Sequence, residues 1–112
     1  MKNLILTVAI CLFLPLTSKA NPPKKITLSY SLENKTLKVD VFHSVKNTEK
    51  HYIDMITIEV NGKEVKSLKF LKQSNKNGEI AEVIIPEMVS GCNVTVKASC
   101  NEFGSKKFSM KL

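Results

Sequence analysis

After Pro22-Pro23, which cannot continue a helix and reads as a short extended leader, the chain is written in twos. Ile26, Leu28, Tyr30 and Leu32 fall on one side of an extended backbone. Leu37, Val39 and Val41 do the same, with Lys38 and Asp40 opposed to them. Cys92, Val94, Val96, Ala98 and Cys100 alternate with Asn93, Thr95, Lys97 and Ser99, and Phe108, Met110 and Leu112 repeat the pattern. Period two is the spacing of a strand with one buried face. No window of useful length shows an apolar period of 3.6, so a helical fold is excluded. Glu33-Asn34-Lys35 is the polar connection between the first two runs. The third run, His51 to Val60, ends at Asn61-Gly62, the strongest hairpin signal present. Its phase slips between Met55 and Ile56, which predicts a bulge. Lys63 to Phe70 is the returning strand, Ser74 to Gly78 a polar loop, and Ile80 to Ile85 a strand stopped by Pro86. About seven short strands separated by turn signals predict an all-β fold, an immunoglobulin-like antiparallel β-sandwich. At 112 residues there is room for one such domain.

The first twenty residues follow a different rule. Met1-Lys2 is a minimal positive start, Leu4 to Leu16 is apolar apart from Thr7 and Pro15, and Ser18 and Ala20 are small residues before a cut at Asn21. That three-part pattern is a secretory signal peptide. The apolar run falls short of the roughly 20 residues that a spanning helix needs, and Cys11 lies inside it instead of after it, against a lipoprotein. Residues 1–20 are therefore expected to be cleaved, and residues 21–112 to form an exported domain, periplasmic or secreted, with no membrane span. Cleavage takes Lys2 and Lys19 from the 17 lysines and leaves 15 against 10 acids, a formal +5. No arginine is present. The planar fork that reads guanine edges or clamps phosphate is missing, and with it goes a nucleic-acid partner.

Export permits a disulfide between Cys92 and Cys100, but eight residues along one strand span about 26 Å. Bridged Cα atoms lie within about 7 Å. The two thiols are expected to have different jobs. Cys92 reads as a small buried hydrophobe.

Both histidines lie within nine residues, and each shares a phase with buried positions. His43 continues Leu37, Val39 and Val41; His51 precedes Ile53 and Met55; Cys100 continues Val94, Val96 and Ala98. All three are expected at strand ends, pointing to the core side. Two imidazoles and a thiolate suit iron, zinc or copper, although their spacing defines no standard zinc motif.

The segment Phe42-His43, then His51-Tyr52-Ile53 leading to Val60-Asn61-Gly62-Lys63-Glu64-Val65, resembles the ferrous-iron domain of desulfoferrodoxins and superoxide reductases. So does Val94-x-Val96-x-Ala98-x-Cys100-Asn101-Glu102-Phe103-Gly104, which is similar to that family's strand ending in Cys-Asn-x-His-Gly. The resemblance spans residues 26–112 and implies an immunoglobulin-like sandwich. It implies a non-haem ferrous ion as cofactor, held in the family by four planar histidines and one axial thiolate. It also implies an oxidoreductase that reduces superoxide by one electron to peroxide, served by an electron-donor protein. Carried over, His43 and His51 match two planar ligands and Cys100 the axial one, three of five. The family's N-terminal histidine has no counterpart beside Pro22-Pro23-Lys24-Lys25, and Phe103 stands where the last histidine is expected. Water, Glu102 or Glu49 are candidates to complete the set. Lys46, Lys50, Lys106 and Lys107 flank the expected site and suit a small anion such as superoxide.

Two other readings are available. A blue-copper site uses two histidines, a cysteine and a weak methionine, but clusters them on one loop, and no histidine follows Cys100. A metal-free sandwich resembling the carrier partners of thiosulfate oxidation shares a His…His-aromatic-Ile stretch before an Asn-Gly turn. It lacks the Cys100-Asn101 and Gly104 segment kept here.

Overall fold

The computed structural model describes residues 21–112, so the signal peptide expected over residues 1–20 lies outside the described residues. Seven strands follow one another: β1 (Lys25–Ser31), β2 (Thr36–Phe42), β3 (Ile53–Val60), β4 (Lys63–Lys69), β5 (Gly78–Ile84), β6 (Asn93–Cys100) and β7 (Ser105–Lys111). They form a three-stranded sheet in the order β1-β2-β5 and a four-stranded sheet in the order β4-β3-β6-β7, with every pairing antiparallel. The sandwich expected from the alternation is present, and no described residue is helical.

The inward residues of the central strands make the core. Leu37, Val39 and Val41 of β2 meet Ile56 and Ile58 of β3 and Val94, Val96 and Ala98 of β6, all fully buried. Each such aliphatic side chain contributes roughly 1.5–3 kcal/mol by leaving water. Ile85, Met88 and Cys92 extend this core at the end where β6 begins. Tyr30 and Phe108 share the inward phase of their strands but stay 43% and 39% exposed. They lie on β1 and β7, which are edge strands and are less well covered by the opposite sheet.

Strand β3 departs from regularity at both ends. The β3–β6 register shifts between Ile53 and Met55, one step earlier than the phase slip expected between Met55 and Ile56. Ile53, Ile56, Ile58 and Val60 are buried, while Met55 is only half-buried. The strand also begins at Ile53, not at His51. Its ladder is replaced there by Asn101: the Tyr52 N–H donates to Asn101 Oδ1 at 2.9 Å, and the Asn101 N–H donates to the Tyr52 carbonyl at 3.0 Å. At the far end of β3, Asn61 and Gly62 adopt φ of 52° and 81°, as the expected two-residue hairpin requires.

Candidate metal centre

Three strand ends converge at one pole of the sandwich. His43 is the first residue beyond β2, and its N–H continues the pairing with β5 through the Asn77 carbonyl at 2.9 Å. His51 sits two residues before β3, in the bend that Asn101 ties down. Cys100 is the last residue of β6, next to His51 across the sheet, because Cys100 pairs with Ile53. One ligand atom from each of the three lies within 4.8 Å of the others. His51 Nε2 is 3.1 Å from Cys100 Sγ, and the two imidazole rings stand edge to face with centroids 4.7 Å apart. All three residues singled out in the sequence are thus brought together, with His43 buried and His51 and Cys100 half-buried.

The surroundings of the rings test whether the cluster suits a metal. Gln73, 3% exposed, donates from Nε2 to the carbonyls of His43 (2.8 Å) and Asn75 (2.9 Å). Those two bonds fix its amide orientation, so its Oε1 is the acceptor of the Ile53 N–H at 3.1 Å and of His43 Nδ1–H at 2.7 Å. The other ring nitrogen, Nε2, lies 3.0 Å from the Asn21 carbonyl oxygen. The His51 ring turns its Nε2 to the thiol and its Nδ1 to the Glu102 carboxylate at 4.0 Å, a charge-pairing distance and not a hydrogen bond. Ligating histidines characteristically have the second nitrogen held by an outer carboxylate or carbonyl group. The cluster fits an ion on Nε2, Nε2 and Sγ.

The turn after β6 serves the sulfur. The Glu102 N–H points at Cys100 Sγ from 3.4 Å, and the Cys100 N–H donates to the Gly104 carbonyl at 2.9 Å. Asn101 Nδ2 donates to the Lys50 carbonyl at 3.0 Å, tying this turn to the loop that carries His51. A pocket of about 640 Å³ lies beside the site, where His51 alone of the three lines it, together with Asn21, Ser44, Lys46, Lys50 and Glu102 among others.

Several expectations are refined by the placement. Of the two acids considered, Glu102 borders the site, whereas Glu49 lines a separate groove with Leu71 and Lys72. Of the four lysines, Lys46 and Lys50 line the pocket. Lys107 lies in another groove with Glu59, Glu64 and Lys97, because its position on β7 faces away from the core. Phe103 is 61% exposed and contributes nothing to the cluster. Cys92, the residue before β6, and Cys100, its last residue, are free thiols, as the span along a strand requires. Gln73 and Asn21 were not legible beforehand, since their contacts with His43 bridge 30 and 22 residues and follow no local pattern.

No protein-family model and no curated protein matches the chain. Among solved structures, the superoxide reductase (1Fe-SOR) from Giardia intestinalis is similar, with a TM-score of 0.57 and 20% identity. The likeness covers 81% of this chain and 96% of that one. The chain therefore has the fold of that superoxide reductase, and it carries at one pole a cluster of metal-ligand type made by His43, His51 and Cys100.

Proposed function

We propose that this chain is an exported, desulfoferrodoxin-like protein that holds one non-haem ferrous ion on His43, His51 and Cys100 and reduces superoxide to peroxide. The convergence of those three ligand atoms within 4.8 Å, at the pole of a fold shared with a superoxide reductase, carries this reading. Bound ferrous iron supplies the one electron that, with two protons, converts superoxide to hydrogen peroxide, and an electron-donor protein then restores the ferrous state.

The rest is done by the chain. Gln73 holds the His43 ring through Nδ1, and the Glu102 carboxylate faces His51 Nδ1 from 4.0 Å while His51 Nε2 faces the sulfur. The Glu102 N–H lies beside the sulfur and donates to it at 3.4 Å. Lys46 and Lys50 border the pocket and attract a small anion into it. Two imidazoles fewer than the family set leave the ion more open and more weakly held. That favours exchangeable iron and slower turnover than a five-ligand centre would give. Residues 1–20 direct export in this reading.

Metal analysis of the protein, expressed from its full sequence and purified anaerobically, tests it. One iron per chain is expected, with a thiolate-to-iron absorption in the oxidised form that Cys100→Ser removes. Stopped-flow mixing with superoxide should then yield peroxide without dioxygen. A native chain that takes up no iron would leave a metal-free binding module on the same sandwich.

A further inference from the structure

We propose that Glu79 is a positioning residue of the metal centre: through Ser74 it fixes the backbone on which Gln73 stands, and through Gln73 the His43 ring. The inference rests on the iron reading above and adds a residue whose side chain bonds to none of the three ligands. Its starting point is an acid where β5 turns inward. Glu79 is 4% exposed and stands opposite the fully buried Val41, on the phase that Ala81 and Val83 continue against the core. Among the described residues the one ion-pair contact is that of His51 with Glu102, so no lysine pairs with Glu79. A carboxyl group taken out of water is costly unless it is hydrogen-bonded, and glutamate is seldom buried without a partner. An apolar side chain would fill the position without that cost, so packing alone does not account for the acid.

Both oxygens of Glu79 go to one residue. Oε1 accepts the Ser74 N–H at 3.0 Å, and Oε2 accepts the Ser74 hydroxyl. Ser74 Oγ in turn accepts the Ile80 N–H at 3.2 Å, which closes the link back onto β5. Ser74 itself is exposed, so what the acid holds is the chain at that point.

That point adjoins Gln73. The peptide group before Gln73 is held by its own N–H, which donates to the Thr48 carbonyl at 2.9 Å. The peptide group after it carries the N–H that Glu79 takes. With both planes fixed, the side chain leaves the backbone in one direction, and its amide meets His43 Nδ1 at 2.7 Å and the His43 carbonyl at 2.8 Å. A group that orients a ligand does so only when it is itself locked by packing and hydrogen bonds. Glu79 supplies that lock from the strand that pairs with the one leading into His43.

The test uses the full-length chain and two readings. Iron affinity is measured anaerobically by competition with a ferrous chelator, and exchange of the Gln73 side-chain amide protons is followed by NMR in the metal-free chain. Glu79→Leu should weaken iron binding about 10-fold and speed the exchange. Glu79→Gln keeps an acceptor for the Ser74 N–H and a partner for its hydroxyl, and should return both readings close to native values. Cys92→Ala, a core change beyond the other end of β6, should move neither, which separates positioning from general loosening. If Glu79→Leu does not fold, Ser74→Ala carries the test: it alters an exposed residue, and weaker iron binding supports the assignment while native affinity defeats it. Native affinity in Glu79→Leu, a loss without faster exchange, an equal loss in Glu79→Gln, or an equal loss in Cys92→Ala would each overturn the assignment and leave the iron reading standing. A native chain that takes up no iron would overturn both.

Discussion

Gln73 shows how much of this site depends on one buried amide. All four of its hydrogen bonds are made, to Ile53, to Asn75 and twice to His43, and none is to solvent. Gln73→Leu would take the bonding partner from His43 Nδ1, the His43 carbonyl and the Ile53 N–H, while the Asn75 carbonyl keeps its bond from the Gly78 N–H. It should lower unfolding free energy by about 2–4 kcal/mol in urea titrations and weaken iron binding by roughly 10–100-fold. The pairing of these two effects separates it from Cys92→Ala. That change trims a buried side chain just before the start of β6 and should cost about 1 kcal/mol while leaving iron stoichiometry unchanged. His43, His51 and Cys100 were legible in the sequence because each continues an alternation whose other members are core. Gln73 was not, because it sits in a polar loop and its partners come from elsewhere in the chain.

The strands were legible almost end to end, and the departures have specific causes. β3 starts late because the Asn101 side chain takes the place of a strand partner at Tyr52. Its bulge comes one step early, opposite the last rungs of the β6 ladder that carries Cys100. This offset keeps Ile53 buried while His51 reaches the sulfur. Two glycines bear strain that the pattern only half reveals. Gly62 was expected from its Asn-Gly turn, and Gly62→Ala, forced to keep φ near 81°, should lower stability by about 1 kcal/mol. For a domain of this size that corresponds to a melting temperature lower by roughly 4–8 °C. Gly78 is more demanding, and the polar loop it closes gives no sign of it. A Cβ there would meet the Val41 carbonyl oxygen at 1.8 Å, so Gly78→Ala must part β5 from β2. We expect a loss of about 3 kcal/mol or more, read by circular dichroism melting, together with displacement of His43 one residue beyond the same pairing.

The sandwich as a body does two things for its pole: it brings three strand ends together, and it sets a lysine-bordered mouth beside them. Lys46 and Lys50 share one loop and one pocket. Exchanging both for glutamate should lower the second-order rate with superoxide severalfold at low ionic strength, an effect that added salt erases. Because unfolded chain cannot offer the three ligand atoms together, iron should raise the melting temperature of the native protein but not of the Cys100→Ser variant. The overall architecture was legible because alternation alone defines two-faced strands. The leader's path over the Cys100 turn was not, since it depends on Gly104 clearing space for Pro22. X-ray absorption at the iron edge reads the coordination most directly. One sulfur at about 2.3 Å and nitrogen or oxygen neighbours at about 2.1 Å are expected in the loaded native chain. Iron surrounded by nitrogen and oxygen alone, with no sulfur shell, would contradict a centre built on His43, His51 and Cys100.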